Sequence, residues 1–389
     1  MLESSDEEAL MYSYASGSSS HPDPRVAAGE VFGQVMDALD GKEPELAVIF
    51  ITDHHLASVR EIVDACHEIL RPEILVGASA QGVLAGSTEY EQGPALALFC
   101  IASPHLIAEP ILLEAISMGK DSALLGWPRE VPGPTVALLL ADPYSFPVAA
   151  FLDRLNEGYP SVTAIGGMAS AASAPGQNRL VLDRTITSEG AVGVLLRGVP
   201  IDTVVSQGCT PIGKPYVVTR AEANVIYELG GRPATERLKE SLASDGEGAR
   251  LAFRGLHIGF VADENQVEFE RGDFVIRNVI AADRSSGAIA LGDEIDVGQT
   301  VQFHVLDAEA SHDDLVSLLS GKQAEAALLF TCNGRGTRFF GTPHHDATVV
   351  SEMLGSVPVA GLFCAGEIGP VGRRNFLHSF TASLALFGK

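Results

Sequence analysis

Apolar residues along this chain fall into two alternating textures. Short unbroken runs, such as Leu46 to Thr52, have the length and density of strands buried on both faces. Between such runs the apolar positions recur every three or four residues. Val26, Phe32, Val35, Met36 and Leu39 predict an amphipathic helix stopped at Asp40-Gly41. A second helix is expected after Ser58 as its cap, with Val59, Ile62, Val63, Cys66, Ile69 and Leu70 on its inner face and Arg71-Pro72 ending it. Strand Ile74-Leu75-Val76 then breaks into Gly77-Ala78-Ser79-Ala80-Gln81-Gly82, and a strand from Ala95 to Ile101 closes the unit.

The same order returns further on, and an internal repeat governs how every local motif is read. Strand Thr135 to Leu140, helix Pro147 to Asn156, strand Val162 to Ile165 and the break Gly166-Gly167-Met168-Ala169-Ser170 form a second copy. Leu180 to Asp183 and Ala191 to Leu196 are expected to pair as a hairpin. A third copy has strand 326–331, a helix from about Asp346 to Leu354, strand 357–364 and a last, interrupted strand from Phe376 to Phe387. The intervening stretch reads as strands near 202–209, 215–219, 256–261, 274–279, 288–291 and 300–305, with helices at Pro233 to Leu242 and Asp313 to Leu319 and a polar loop at Ser244 to Gly248. The expected fold class is α/β: mixed β-sheets with outer helices, built from repeated β-α-β-β units. Two domains are expected, 26–205 and 206–389, after a flexible acidic and Ser-rich tail over 1–25.

Charge narrows the partners. The 389 residues carry a net charge of −24, and an acidic surface repels phosphate backbones and anionic membranes, so nucleic acid is excluded as a partner. Cys66, Cys100, Cys209, Cys332 and Cys364 are scattered without CxxC spacing, which fits a reducing, cytoplasmic compartment. The acidic N-terminus lacks the basic and apolar regions of a signal peptide, and no apolar run reaches the roughly 18–20 residues of a membrane helix. A soluble cytoplasmic protein without membrane insertion is expected.

Candidate chemistry concentrates in the third copy, where both strands end in small and polar residues. Cys332-Asn333-Gly334-Arg335-Gly336 offers short neutral hydrogen bonds and a planar guanidinium for a carboxylate or phosphate. Glu367, with Gly369 beyond it, stands where it could take a ligand ammonium. Arg335 at one end of a crevice and Glu367 at the other suit a small zwitterion such as an amino acid; the competing reading is a tight turn with Arg335 solvated or paired to Glu367. Cys332 beside a cation and glycine amides also resembles an activated thiol, which makes a thiol-dependent hydrolase or transferase with His378 as base the alternative. A ligand-free interaction scaffold is the third reading. Asp53-His54-His55 has residue types that bind metals but no partners in the second copy, Ala141-Asp142-Pro143-Tyr144, and reads as an exposed loop pair. His344-His345-Asp346 is expected at a helix N-terminus with Asp346 as cap. Gly213-Lys214 lacks Walker spacing, and Gly166-Gly167 does not extend to GxGxxG, so no nucleotide, cofactor or metal is indicated.

Taken in order, the paired Gly-Ala-Ser and Gly-Gly-Met-Ala breaks, Ile226-Tyr227-Glu228-Leu229 with Pro233-Ala234, Cys332-Asn333-Gly334-Arg335-Gly336 and Gly361-Leu362-Phe363-Cys364-Ala365-Gly366-Glu367-Ile368-Gly369-Pro370 resemble the FIST proteins, with N-terminal and C-terminal FIST domains in tandem from about Val26 onward. The resemblance implies a sensory module for small ligands such as amino acids, found beside signalling domains in bacteria and in F-box proteins of eukaryotes. It implies no catalytic mechanism. With 26–389 so assigned, no segment is left for a kinase, methyl-accepting, cyclase or F-box domain, and the signal is expected to pass through a partner protein.

Overall fold

A computed structural model describes residues 12–388 apart from 119–120, 253–254, 267 and 270. It divides into two compact units that do not follow the chain. One comprises the chain up to Val205 together with Val316–Leu377 and Ala382–Lys389; the other is Ser206–Leu315 with His378–Thr381. Where the sequence reading assigned all of 206–389 to a second domain, the third repeat instead packs with the first two.

Among the described residues the first unit holds three mixed sheets built on one plan. Each centres on a parallel pair: Leu46–Thr52 with Ile74–Ala80, Thr135–Ala141 with Val162–Met168, and Ala326–Cys332 with Val359–Cys364. The last strand of each repeat, Leu96–Ala102, Ala191–Arg197 or Thr381–Phe387, lies antiparallel beside the first. Between its second and last strands each repeat sends a hairpin to another sheet. Val83–Ala85 and Thr88–Tyr90 join the third sheet, Leu180–Leu182 and Thr185–Thr187 the first, and Glu367–Val371 and Arg374–His378 the second. The three repeats thus exchange hairpins cyclically. The expected pairing of 180–183 with 191–196 is therefore wrong: Leu180–Leu182 pairs with Thr185–Thr187, while Ala191–Arg197 belongs to another sheet.

Strand alternation sorts side chains between two cores. Leu46, Val48 and Phe50 enter a core shared with Leu138, Leu140, Leu328 and Phe330, so one face of every sheet contributes to it. Ala47, Ile49 and Ile51 face the other way, against Val31, Phe32 and Val35 of helix Pro24–Ala38 and Ile62, Val63 and Cys66 of helix Val59–Ile69. Both faces are buried, which is why these strands read as unbroken apolar runs.

The expected tail was misread. Residues 1–11 lie outside the described residues, but Ser13–Ser19 is a strand, paired antiparallel with Leu96–Ala102. Its Ser and Gly content reflects close packing: a Cβ on Gly17 would lie 3.1 Å from the Val31 carbonyl oxygen of the covering helix.

The first two breaks are not loops after their strands, which continue through Ala80 and Met168, whereas the third strand ends at Cys364, just before its break at Ala365. Their glycines answer one steric demand. Gly77, Gly166 and Gly361 are register partners of Ile49, Leu139 and Leu329. A Cβ on them would come within 2.5, 1.9 and 1.8 Å of those residues' carbonyl oxygens. The same glycine at the same place in three copies is the clearest structural mark of the repeat.

The second unit is an antiparallel barrel. Its strands run in the order Cys209–Glu222, Thr300–Leu306, Leu256–Val261, Phe274–Ala282, Ile289–Leu291 and Val225–Leu229, and the long first strand also pairs with the last. Ile212, Val218, Ile258, Val301 and Phe303 fill it, with Ala234 and Leu238 of helix Ala234–Ser244 packed against them. Helix Gly246–Leu251 occupies part of the stretch expected as a polar loop, with the Asp245 side chain capping it through the Gly248 amide.

Gly361→Ala is expected to cost at least ~2 kcal/mol, because the new methyl meets a backbone carbonyl that cannot turn aside. Gly29→Ala, on an exposed helical position with nothing within 4 Å of the added atom, is expected to stabilise by ~0.5–1 kcal/mol. Urea midpoints of the two variants check the opposite signs.

Candidate functional site

At the ends of the parallel pairs, where the hairpins leave one sheet for another, the three breaks are hydrogen-bonded to one another. The Ser170 hydroxyl donates to the Phe363 carbonyl (2.5 Å) and accepts from the Gln81 amide (2.9 Å). Met168 N–H donates to the Gly366 carbonyl (2.8 Å), Ala365 N–H to that of Met168 (3.1 Å), and Phe363 N–H to that of Gly82 (2.9 Å). The breaks 77–82 and 166–170 therefore meet the end of strand Val359–Cys364 and the start of the 365–370 break at one crossover. The 331–336 turn joins them through Asn333 N–H, which donates to the Cys364 carbonyl (2.9 Å).

Within that turn, Arg335 N–H donates to the Cys332 carbonyl (2.8 Å), and Gly334 N–H points to the Cys332 Sγ (3.5 Å). Cys332, Asn333 and Gly334 are half-buried, whereas Arg335 and Gly336 are buried. The Arg335 fork is already engaged. Its Nε and Nη2 donate to the two carboxylate oxygens of Asp346 (2.8 and 2.9 Å), and both side chains have no exposure to solvent. Asp346 also accepts from the Thr331 hydroxyl (2.6 Å) and faces His345 Nδ1 (3.0 Å). Phe340 lies under the guanidinium at 5.2 Å and stacks on the His345 ring. Burial alone would drive both charges to neutrality. The guanidinium beside Asp346 outweighs it and holds that carboxyl well below the usual carboxylate range; Asp346 first, then Cys332 and Glu367, keep Arg335 protonated.

Asp346 is thus not the helix cap that the sequence suggested. Helix His345–Leu354 starts after His344, which takes a left-handed conformation (φ 61°) without a side-chain cap. Its first-turn amide Ala347 N–H donates instead to Glu89 Oε1 (2.9 Å), from the hairpin contributed by the first repeat. Two residues on, Glu91 accepts from the amide and hydroxyl of Thr337. A Cβ on Gly336 would lie 2.2 Å from the Glu91 carboxylate, so this glycine makes room for an acid from another repeat. Glu89 is 4% exposed, and burial, with the charge of Asp346 second, pushes its carboxyl up to about 8.

Glu367, expected across the crevice, is buried opposite Gly167, and its charge reaches both Arg335 and the Cys364 thiol. Gly369 is a packing position, since a Cβ there would meet Val205 and Ser383. His378, named as a base for Cys332, belongs to the other compact unit. In the second repeat the matching strand end holds Asp142, which accepts from Asn178 Nδ2 (2.9 Å) and the Ser145 hydroxyl (2.7 Å). Asp53 and His54 of the first repeat are exposed. Among the described residues no group of three or more His, Cys, Asp or Glu is placed to hold a metal ion.

Sequence reasoning missed Asp346 as the Arg335 partner, and missed Glu89 and Glu91 altogether. Only the first carried a signal, an acid eleven residues beyond a buried cation. The other two arrive from more than 240 residues away through the exchanged hairpin.

Two polar atoms of this turn remain unsatisfied. Arg335 Nη1 and Asn333 Oδ1 are both buried and have no hydrogen-bond partner among the described residues. Buried polar atoms in native proteins are satisfied by protein, water or ligand. A cationic donor and a neutral acceptor two residues apart, in a turn that is otherwise half-open, can hold a small polar molecule.

A repeat-built α/β unit with a polar crossover at its strand ends, together with an antiparallel barrel, defines a two-domain α/β protein. The chain belongs to the FIST family: the FIST N domain model matches residues 45–232 and the FIST C domain model residues 234–370. FIST domains are in general sensory, small-ligand-binding modules of signal transduction. The uncharacterized protein Rv0628c of Mycobacterium tuberculosis is 42% identical over 380 residues, 95% of this chain and 98% of its own length. The uncharacterized protein Mb0898c of Mycobacterium bovis is 41% identical over 374 residues, 94% and 96% of the two chains. Among the described residues no helix is long and apolar enough to cross a membrane.

Two consequences can be measured by urea denaturation. Asp346→Ala leaves the guanidinium buried without its partner and is expected to cost ~3–5 kcal/mol, whereas Arg335→Met with Asp346→Leu together should cost far less. Glu89 binds its proton more tightly folded (about 8) than at its ordinary value of 4.5. Its contribution is therefore complete below pH 4.5 and is lost as pH rises through 8. Glu89→Gln should flatten that loss, gaining roughly 1–3 kcal/mol over the wild type at pH 9 and little at pH 5.

Proposed function

We propose that this protein is a cytoplasmic sensor for an amino acid or a similar small zwitterion, held at the crossover by Asn333, the Cys332–Gly336 turn and Glu367, with the signal passed to a partner protein. The observation that carries the reading is the pair of unpartnered buried atoms, Arg335 Nη1 and Asn333 Oδ1. A ligand carboxylate would accept from Nη1, whose guanidinium is already fixed by Asp346 and so loses little freedom on binding. A ligand ammonium would donate to Asn333 Oδ1 and feel the nearby charge of Glu367. Membership of a sensory family supports ligand recognition, and all five cysteines are thiols, as a reducing compartment favours.

Thermal shift against a metabolite panel tests the reading, since a ligand at a hundredfold its Kd adds about 2.7 kcal/mol of stability. An amino acid is expected to raise Tm, while its N-acetyl and decarboxylated forms do not. Asn333→Ala should abolish the shift with little change in the apo Tm, because its side-chain oxygen has no partner to lose. A positive shift that survives both Asn333→Ala and Cys332→Ala would place the ligand elsewhere.

A further inference from the structure

The strands Ala326–Cys332 and Val359–Cys364 run parallel, and their last register pair sets Cys332 beside Cys364. Alternation directs both side chains to one face, since Leu328 and Phe330 precede Cys332, and Ala360 and Leu362 precede Cys364, in the shared core. Neighbouring strands lie about 4.8 Å apart. That spacing falls within the roughly 4.4–6.8 Å between Cα atoms that a disulfide spans. Cys364 Sγ rests in the notch left by Gly167, where a Cβ would come within 2.2 Å of it, and donates weakly to the Leu362 carbonyl (3.7 Å). A disulfide would require Cys364 to leave that notch through a change of χ1. Cys332 is half-buried beside the Arg335 cation, while Cys364 is wholly buried. Burial first, then the charges of Glu367 and Cys332, push the Cys364 thiol well up, and Cys332, the half-buried member of the pair, is the one with access to small reactants.

We propose that Cys332 and Cys364 are a reversible redox pair, in which Cys332 reacts with a small peroxide and Cys364 resolves the product as a cross-strand disulfide. The Cys332 thiolate attacks one peroxide oxygen; an S–O bond forms, the O–O bond breaks, and the departing hydroxide takes up a proton as water. The resulting sulfenic acid is then attacked by the Cys364 sulfur. An S–S bond forms, the S–O bond breaks, and hydroxide leaves with the thiol proton as a second water. Two thiols lose two electrons and the peroxide gains them. Because Cys332 Sγ faces the Gly334 amide, the disulfide draws on the turn that carries Asn333 and Arg335, and oxidation alters the crossover whether or not a ligand binds there. Cys66 and Cys100 are also close enough for one charge to reach the other, but both are sealed in the helix-side core and serve as an internal control.

The test treats the full-length protein with hydrogen peroxide, blocks remaining thiols with a maleimide, and maps the peptides by mass spectrometry. A crosslinked peptide pair containing Cys332 and Cys364 is expected within one chain, lost on treatment with dithiothreitol, with Cys66 and Cys100 still unmodified. Cys332→Ser should abolish it, and Cys364→Ser should divert Cys332 to sulfenic and sulfinic acid. The proposal is overturned if wild-type Cys332 stays a thiol, is oxidised without any crosslink to Cys364, or crosslinks only between chains. The wild-type map decides this even if Cys364→Ser does not fold.

Discussion

Three sheets can share one core only if their strands end where the chain can step from one sheet to the next, and that step governs most of the first unit. Each repeat contributes a parallel pair and lends a hairpin elsewhere, so no repeat completes its own sheet. Within each parallel pair the backbones approach closely, and Gly77, Gly166 and Gly361 sit against the carbonyls of Ile49, Leu139 and Leu329. Hydrogen bonds among Ser170, Phe363, Met168, Gly366 and Gly82 then tie the three steps together, satisfying backbone groups that the interrupted sheets would leave bare.

On this nearly symmetric frame, among the described residues, the third step alone carries a buried ion pair. Arg335 and Asp346 are costly to desolvate, and a well-packed apolar pair would serve stability as well or better. What the pair provides is placement. The bidentate fork fixes the guanidinium plane, Thr331 and His345 fix the carboxylate, and Phe340 supports both, so the remaining Nη1 is presented in one direction. Glu89 and Glu91 reach in on the borrowed hairpin to hold the starts of helices His345–Leu354 and Thr337–Phe340. The 331–336 turn and the helices that follow it are therefore held by residues of two repeats.

Much of the α/β frame was legible from apolar periodicity. The strand Leu46–Thr52 falls where its unbroken run predicts, and the helices after Asp23 and Ser58 follow their spacing. Where periodicity misled, polarity was the reason. Ser13–Ser19 has the composition of a linker because a helix lies too close for larger side chains, and Leu180–Leu182 was paired with a sequence neighbour because nothing local records hairpin exchange. The closed barrel of the second unit was likewise invisible, since closure depends on the long strand Cys209–Glu222 pairing at both ends.

The sequence by itself determined the elements, the repeat and the stretch where chemistry gathers, because local propensity and burial leave a period in the order of residues. It also singled out Cys332, Asn333, Arg335 and Glu367 as the decoration peculiar to the third copy. Only the tertiary structure decided what those residues face. Arg335 is also half of a buried pair, Gly336 makes room for Glu91, and Cys332 is the register partner of Cys364. Each of those outcomes depends on a contact across strands, hairpins or repeats, and the energy of such a contact resides in a geometry that neighbouring residues along the chain do not encode.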